Sequence, residues 1–200
     1  MTEKYKIGII GLGYVGFPLA CLFAKKYKVI GYDIKESRIN EINQGIDSTN
    51  EVTPEVLKAA LSNGMKCTSR LDDLKSCNVY IVAIPTPVDD FHNPELVPLK
   101  KASIAVGNVI SKGDYVIYES TVYPGVTEEI CAPILEEVSG LRLNEDFYLG
   151  YSPERINPGD KKHTVENIPK ITSGSTPEAA EVIDNLYNSV LLNGTHRAPT

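Results

Sequence analysis

The pattern of apolar and polar residues predicts that short strands alternate with helices along the chain. The sequence predicts strands at residues 7–10, 29–33, 65–68, 79–84, 115–118, 147–151, 170–173 and 189–192. Residues 79–84 are apolar at consecutive positions, as in a parallel strand that is covered on both faces. Helical spacing and helix-end signals predict helices at residues 14–26, 37–44, 54–61, 71–75, 99–110, 126–138 and 177–187. This alternation predicts an α/β fold, in which an open, doubly wound, mostly parallel sheet carries helices on both faces with right-handed crossovers.

A glycine-rich turn, GLGYVG, follows the first strand and opens the first helix. Gly11 allows the tight turn, Gly13 lets the backbone approach a pyrophosphate without an intervening Cβ, and Gly16 lets the helix pack close to the strand. The helix N-terminus then offers free N–H groups and partial positive charge to phosphates. The strand, turn and helix are the context that this spacing requires, so they predict a dinucleotide site in a Rossmann-like fold.

An acid at the end of the second strand predicts which dinucleotide binds. Asp33 lies about 20 residues beyond the glycine turn, where a carboxylate can accept both hydroxyls of an adenosine ribose. The same carboxylate would repel the 2′-phosphate of NADP, so the predicted cofactor is NAD. Arg38 follows five residues later, and either lies over the adenine or near a phosphate, or is a solvated arginine on a helix face.

Composition limits the compartments and partners that fit the chain. The uncharged run 7–24 superficially resembles a membrane span, but its glycines and proline suit a buried strand and packed helix better. The net charge of −6 shows no basic block, which argues against nucleic acid or an anionic membrane as partner. We therefore expect a soluble, cytoplasmic protein without a targeting segment.

The size and the cysteines give two further expectations. Residues 1–192 suit one NAD-binding domain with a full core, and residues 193–200 are interpreted as the start of a linker. The four cysteines are scattered without a C-x-x-C pair, so neither a zinc site nor a disulfide framework is predicted, and no metal is expected. Buried small hydrophobic residues are their simplest interpretation.

Polar turns follow three of the predicted strands, at the strand ends where ligands sit in open α/β sheets. Thr86, in a Pro-Thr-Pro turn, is a candidate cofactor contact or a turn threonine that satisfies its own backbone. Ser120 and Thr121 would project beside the nicotinamide half of a dinucleotide. Glu154 and Arg155 lie between prolines after the next strand, which favours a site over a surface loop.

Four motifs in order, GLGYVG, PTP, STVYPG and SPERINPGD, closely resemble the UDP-glucose/GDP-mannose dehydrogenase family. The resemblance covers nearly all 200 residues, and the SPERINPG form is most similar to the branch that oxidises UDP-N-acetylhexosamines, UDP-GlcNAc or UDP-GalNAc. It implies oxidation of the sugar C6 alcohol to a carboxylate by two NAD⁺ in turn, through a cysteine-bound intermediate, in polysaccharide precursor synthesis.

The resemblance also implies roles for individual residues. The catalytic candidates are Glu154 and Thr121, which would position or deprotonate a water near C6. The cofactor contacts would be Gly11, Gly13, Tyr14, Val15, Gly16, Asp33, Arg38, Pro85, Thr86, Ser120 and Thr121. The segment against the UDP-sugar would be Glu154, Arg155, Ile156 and Asn157.

The family's nucleophilic cysteine, with its lysine and asparagine, belongs to a later domain and is not matched before Thr200. The chain therefore resembles the amino-terminal portion of a longer, homo-oligomeric enzyme, and we expect it to bind NAD⁺ without turnover. Two alternatives stay open at this point. One is a β-hydroxyacid or 6-phosphogluconate type dehydrogenase, which shares a similar first unit, and the other is a non-catalytic module that senses NAD.

Overall fold

The computed structural model describes residues 4–87, 94–155 and 165–199. Its strands are β1 Lys6–Ile10, β2 Lys28–Tyr32, β3 Lys66–Thr68, β4 Val79–Val82, β5 Asp114–Tyr118, β6 Phe147–Tyr151, β7 Lys170–Gly174 and β8 Thr195–Arg197. Its α-helices are α1 Gly16–Phe23, α2 Glu36–Asn43, α3 Pro54–Ser62, α4 Val97–Gly107, α5 Ala132–Ser139 and α6 Pro177–Asn188. A 3₁₀ helix spans Leu71–Ser76, and a π-helix, Val126–Cys131, leads into α5.

All the strands that the structure describes form one sheet in the order β3-β2-β1-β4-β5-β6-β7-β8. Pairing is parallel from β3 through to β6, whereas β7 runs antiparallel to β6. The first six strands have the order of a dinucleotide-binding sheet, in which the chain reverses its direction of winding between β1 and β4. The crevice at the carboxyl ends of these two strands is therefore the expected ligand site.

Apolar side chains are buried on both faces of the sheet. In β4, Val79 and Ile81 pack with α1, α2, α3 and α6, whereas Tyr80 and Val82 pack with α4 and α5. Consecutive residues of a strand point to opposite faces, so a strand covered on both sides is apolar throughout. The predicted fold class, a mostly parallel Rossmann-like sheet between helices, is confirmed. Among the described residues, no helix is both long and apolar enough to cross a membrane.

Two of the predicted elements need correction. The strand predicted at residues 189–192 is wrong, because Val190 and Leu191 both donate backbone hydrogen bonds to Tyr187 O and continue the turn that ends α6. The last strand is β8, which pairs with β7, so three residues of the predicted linker lie in the sheet. The first helix begins at Gly16 rather than at residue 14, which leaves Tyr14 and Val15 in the glycine turn.

A buried carboxyl group at the start of β5 gives a prediction about stability. Asp114 is 4% exposed, and burial raises its pKa from 3.8 to about 6 although its Oδ2 accepts a hydrogen bond from Ser111 N. Because burial favours the protonated carboxyl group, Asp114 stabilises the fold at pH values below the pKa that it has in the unfolded chain. This stabilisation is lost as the pH rises through about 6. Asp114→Asn should therefore raise the free energy of unfolding at neutral pH by about 1–3 kcal/mol. The difference in the free energy of unfolding between variant and wild type, measured with urea, should grow as the pH rises from about 4 to about 6. A difference that does not change with pH would contradict this interpretation.

Candidate functional site

The glycine turn has the geometry that its three glycines predict. Gly11 has φ +92°, and a Cβ there would lie 2.7 Å from Ala83 O. A Cβ on Gly16 would lie 1.9 Å from Gly11 O, so α1 packs against the turn at a distance that only glycine permits. Gly13 is different, because a Cβ there would meet no heavy atom within 4 Å. The open side of the turn is thus at Gly13, next to an α1 N-terminus that lacks a side-chain cap.

Asp33 connects the end of β2 to the glycine turn. Its Oδ2 accepts a hydrogen bond from Leu12 N at 2.9 Å, and its Oδ1 accepts one from Lys35 N at 2.9 Å. A carboxylate has about four lone-pair positions, so both oxygens can also accept hydroxyl donors. The side chain is partly exposed, and its position beside the turn suits a ribose.

Arg38 has a structural role that neither sequence interpretation included. Its side chain is 8% exposed, which makes the alternative of a solvated helix-face arginine wrong. The guanidinium donates from Nε to Leu12 O at 2.8 Å, pairs with Asp47 at 2.7 Å and lies 4.7 Å from the Phe17 ring centroid. Arg38 therefore holds the glycine turn to the loop after α2, and its contact with adenosine stays a prediction.

Hydroxyl side chains join the loops after β4, β5 and β6. Thr86 donates to Thr121 O at 2.7 Å, Ser120 donates to Ile84 O at 2.5 Å, and Thr121 donates to Glu154 O at 3.1 Å. The structure thus brings these three predicted residues and Glu154 together at one edge of the sheet. The Thr86 bond crosses to another loop, so Thr86 does not serve its own turn. Pro85, Tyr14 and Thr121 are exposed along this edge.

Glu154 lies in the loop after β6 and contacts Lys170, the first residue of β7. Its Oε1 accepts from Arg155 N at 2.6 Å, and its Oε2 lies 3.0 Å from Lys170 Nζ. The Arg155 guanidinium is exposed and donates to Pro169 O. Ile156 and Asn157 lie outside the described residues. The carboxylate is partly buried and held at both oxygens, an arrangement that suits a general base or a water-binding group.

Sequence reasoning missed the residues beneath Glu154. Lys170 Nζ lies 2.5 Å from Glu119 Oε2, and Tyr187 donates to the other oxygen of Glu119. Burial raises the pKa of Glu119, and Lys170 only partly offsets this. Burial would lower the pKa of Lys170, but the carboxylates of Glu119 and Glu154 outweigh it and raise that pKa. We call Glu119, Glu154, Lys170 and Tyr187 the buried charge cluster.

Comparison with known proteins identifies the family. The model of the UDP-glucose/GDP-mannose dehydrogenase family, NAD binding domain, matches residues 5–191. The chain belongs to this family. The glycine turn, which is open at Gly13, and the free lone pairs of Asp33 fit a dinucleotide, and NAD is the cofactor of this domain.

Curated relatives and solved structures agree with this assignment. Over 196 residues the chain is 58% identical to the UDP-N-acetyl-D-glucosamine 6-dehydrogenase of Pseudomonas aeruginosa, covering 98% of this chain and 46% of that protein. It is 53% identical over 196 residues to the enzyme of the same name from Salmonella typhi, with 98% and 46% covered. The UDP-D-ManNAc dehydrogenase structure from Pyrococcus horikoshii superposes with a TM-score of 0.89 at 36% identity, covering 98% of this chain and 47% of that one. The chain thus spans about half the length of the curated relatives it matches.

The cysteines of this NAD-binding domain are not poised to react. Cys21, Cys67, Cys77 and Cys131 are all buried and free. Burial raises the pKa of the first three thiols to about 12 and also raises that of Cys131. Since the thiolate is the nucleophile, we expect all four to resist a disulfide reagent at about pH 8 until the chain unfolds. A thiol that reacts at the rate of free cysteine in the native chain would contradict this. Among the described residues there is also no cluster that could hold a metal ion.

Proposed function

We propose that this chain is the NAD-binding part of a dehydrogenase that oxidises C6 of a UDP-N-acetylhexosamine to the uronic acid. The observation that carries the proposal is the placement of Glu154 beside Thr121, at the sheet edge that also holds the glycine turn. Conversion of the alcohol to a carboxylate consumes two NAD⁺ and one water, and yields two NADH and three protons. Bound NAD⁺ supplies the hydride acceptor for both oxidations.

The residues of this chain hold the cofactor and handle the water. The glycine turn and the α1 N-terminus would bind the pyrophosphate, and Asp33 would bind the adenosine ribose. The carboxylate of Glu154, with both oxygens already fixed, would accept a proton from a water near C6, and Thr121 would hold the loop that carries it. Arg155 is exposed next to this carboxylate and is the candidate contact for the UDP-sugar.

The experiment uses the complete protein that contains these residues, supplied with NAD⁺ and, separately, UDP-GlcNAc, UDP-GalNAc, UDP-ManNAc or UDP-glucose. We expect two NADH per sugar with an N-acetylhexosamine substrate. Glu154→Gln should lower kcat by about 10²–10³-fold, the effect typical of a lost general base. Glu137→Gln, on the exposed face of α5, is the matched control and should keep full activity.

Several outcomes decide between the alternatives. If UDP-glucose were the only sugar nucleotide to yield NADH, the substrate would be a UDP-hexose without the N-acetyl group, and the proposed substrate class would be wrong. Absence of NADH with every UDP-sugar, despite NAD⁺ binding, would favour a non-catalytic NAD-sensing module. The family match already decides against the β-hydroxyacid type of dehydrogenase.

We also propose that the 200-residue chain binds NAD⁺ without turnover, because its four cysteines are buried and the relatives are about twice as long. Sustained NADH production by this chain with a UDP-hexosamine would contradict that. Assembly of the complete protein as a homo-oligomer is a further proposal, and sedimentation of that protein would test it.

A further inference from the structure

Lys170 lies between two carboxylates under the candidate site. Its Nζ is 2.5 Å from Glu119 Oε2 and 3.0 Å from Glu154 Oε2. The side chains of Lys170, Glu119 and Glu154 are 4%, 0% and 10% exposed, so this pair of contacts is shielded from water. The ammonium also lies 5.8 Å from the ring centroid of Tyr187, whose hydroxyl donates to Glu119.

The reversed direction of β7 brings Lys170 to this position. Gly174 pairs with Gly150 and Ser173 with Tyr151, in the antiparallel sense. The first residue of β7 therefore lies beyond the carboxyl end of β6, at the edge where β5 also ends. Glu119 follows β5 directly, and its backbone O accepts from Glu154 N at 3.2 Å. The residue after β5 and the loop between β6 and β7 thus each place a carboxylate against the ammonium group of Lys170.

Stability alone does not account for such a cluster. Taking charges out of water costs free energy that a buried ion pair often fails to recover, and an apolar set of similar volume would stabilise the fold as well. Here Lys170 is shared with a second carboxylate, Glu154, which is the predicted catalytic group. Arg155 N occupies one oxygen of that carboxylate and Lys170 the other, so its plane and rotamer are fixed from two sides.

We propose that Lys170 is a positioning residue for Glu154 and that Glu119 and Tyr187 hold Lys170 in place. The inference rests on the proposed function, because it assigns Lys170 a role through the carboxylate that acts on water. Lys170 contacts neither cofactor nor substrate in this assignment. Its loss should leave NAD⁺ binding intact and slow the chemical step.

The kinetic test compares variants of the complete protein. Lys170→Met should lower kcat about 10–100-fold with KM for NAD⁺ nearly unchanged, since the glycine turn is untouched. Lys170→Arg, which keeps the charge and can reach both carboxylates, should restore a substantial part of kcat. Because Lys170→Met leaves Glu119 unpaired and can impair folding, the double variant Glu119→Gln/Lys170→Met removes both charges together and should show the same kcat loss. Lys112→Met, which removes an exposed lysine paired with Asp146, is the matched control and should behave as wild type.

A spectroscopic test in the 200-residue chain is independent of turnover. The carboxyl ¹³C resonance of Glu154 should shift in Lys170→Met and in the double variant, and stay in place in Lys112→Met. An unmoved Glu154 resonance would overturn the inference, and so would wild-type kcat in the double variant. A wild-type protein without any turnover would overturn the proposed function, and the kinetic role of Lys170 with it.

Discussion

Gly16→Ala is expected to abolish measurable NAD⁺ binding and to destabilise the domain by about 2–3 kcal/mol, as overpacking of a tight contact does. The new Cβ would lie 1.9 Å from Gly11 O and 3.0 Å from the Cβ of Ala83. Neither Gly11 O nor the Cβ of Ala83 can move without a large cost in free energy, because Gly11 belongs to the backbone of the glycine turn and Ala83 directly follows β4. The N-terminus of α1 must move away from the turn, and the N–H groups that are proposed to bind the pyrophosphate move with it. Calorimetric titration with NAD⁺ and urea unfolding measure the two effects.

Gly13→Ala is the matched control for this prediction. A Cβ at Gly13 meets no heavy atom within 4 Å, and φ there is not positive. The free energy of unfolding should therefore change by no more than about 1 kcal/mol, the scale of a glycine-to-alanine change without strain. The added methyl group would still occupy the open side of the turn and should weaken NAD⁺ binding about 10–100-fold, which corresponds to about 1.4–2.8 kcal/mol. Equal loss of stability in both variants, or full NAD⁺ affinity in Gly16→Ala, would contradict the assigned roles.

Asp33→Ser is expected to weaken NAD⁺ binding about 10–100-fold, or about 1.4–2.8 kcal/mol. The substitution removes the carboxylate that is proposed to bind the ribose, and it also removes the acceptors of Leu12 N and Lys35 N. It should reduce the preference for NAD⁺ over NADP⁺ as well, because the negative charge that repels a 2′-phosphate is gone. Titration of the variant with both cofactors measures this preference.

Asp72→Ser is the control for Asp33→Ser, since Asp72 is exposed and pairs with Lys75 at 2.7 Å on the surface. It should leave both affinities unchanged. If Asp33→Ser kept the wild-type preference for NAD⁺ over NADP⁺, the discrimination would come from other residues and the role of Asp33 would be wrong.

The parts of the fold that local sequence determines were predictable. The buried parallel strand β4 is apolar at consecutive positions, and the glycine turn has a spacing that is typical of one turn geometry when it lies between a strand and a helix. The hydroxyl residues of the site could be located because each polar turn follows a strand, and parallel strands end at the same edge. Thr86, Ser120 and Thr121 accordingly come together.

The parts that depend on strand direction and on long-range packing were not predictable. Lys170 looks like an ordinary charged residue at the start of a strand, and only the antiparallel pairing of β7 with β6 brings it under Glu154. Arg38 lies on a helix with a polar exposed face, and nothing local indicates that it reaches back to Leu12 O. Residues 189–192, with three apolar side chains in a row, resemble a strand because buried helix ends and buried strands share their composition.

A calorimetric titration of the 200-residue chain with NAD⁺ and, separately, with NADP⁺ would decide whether this domain is an NAD site. We expect NAD⁺ to bind with one site per chain and at least about tenfold more tightly than NADP⁺, a difference of about 1.4 kcal/mol. Equal affinity for the two cofactors, or tighter binding of NADP⁺, would contradict the assignment of the glycine turn and Asp33 as an NAD site.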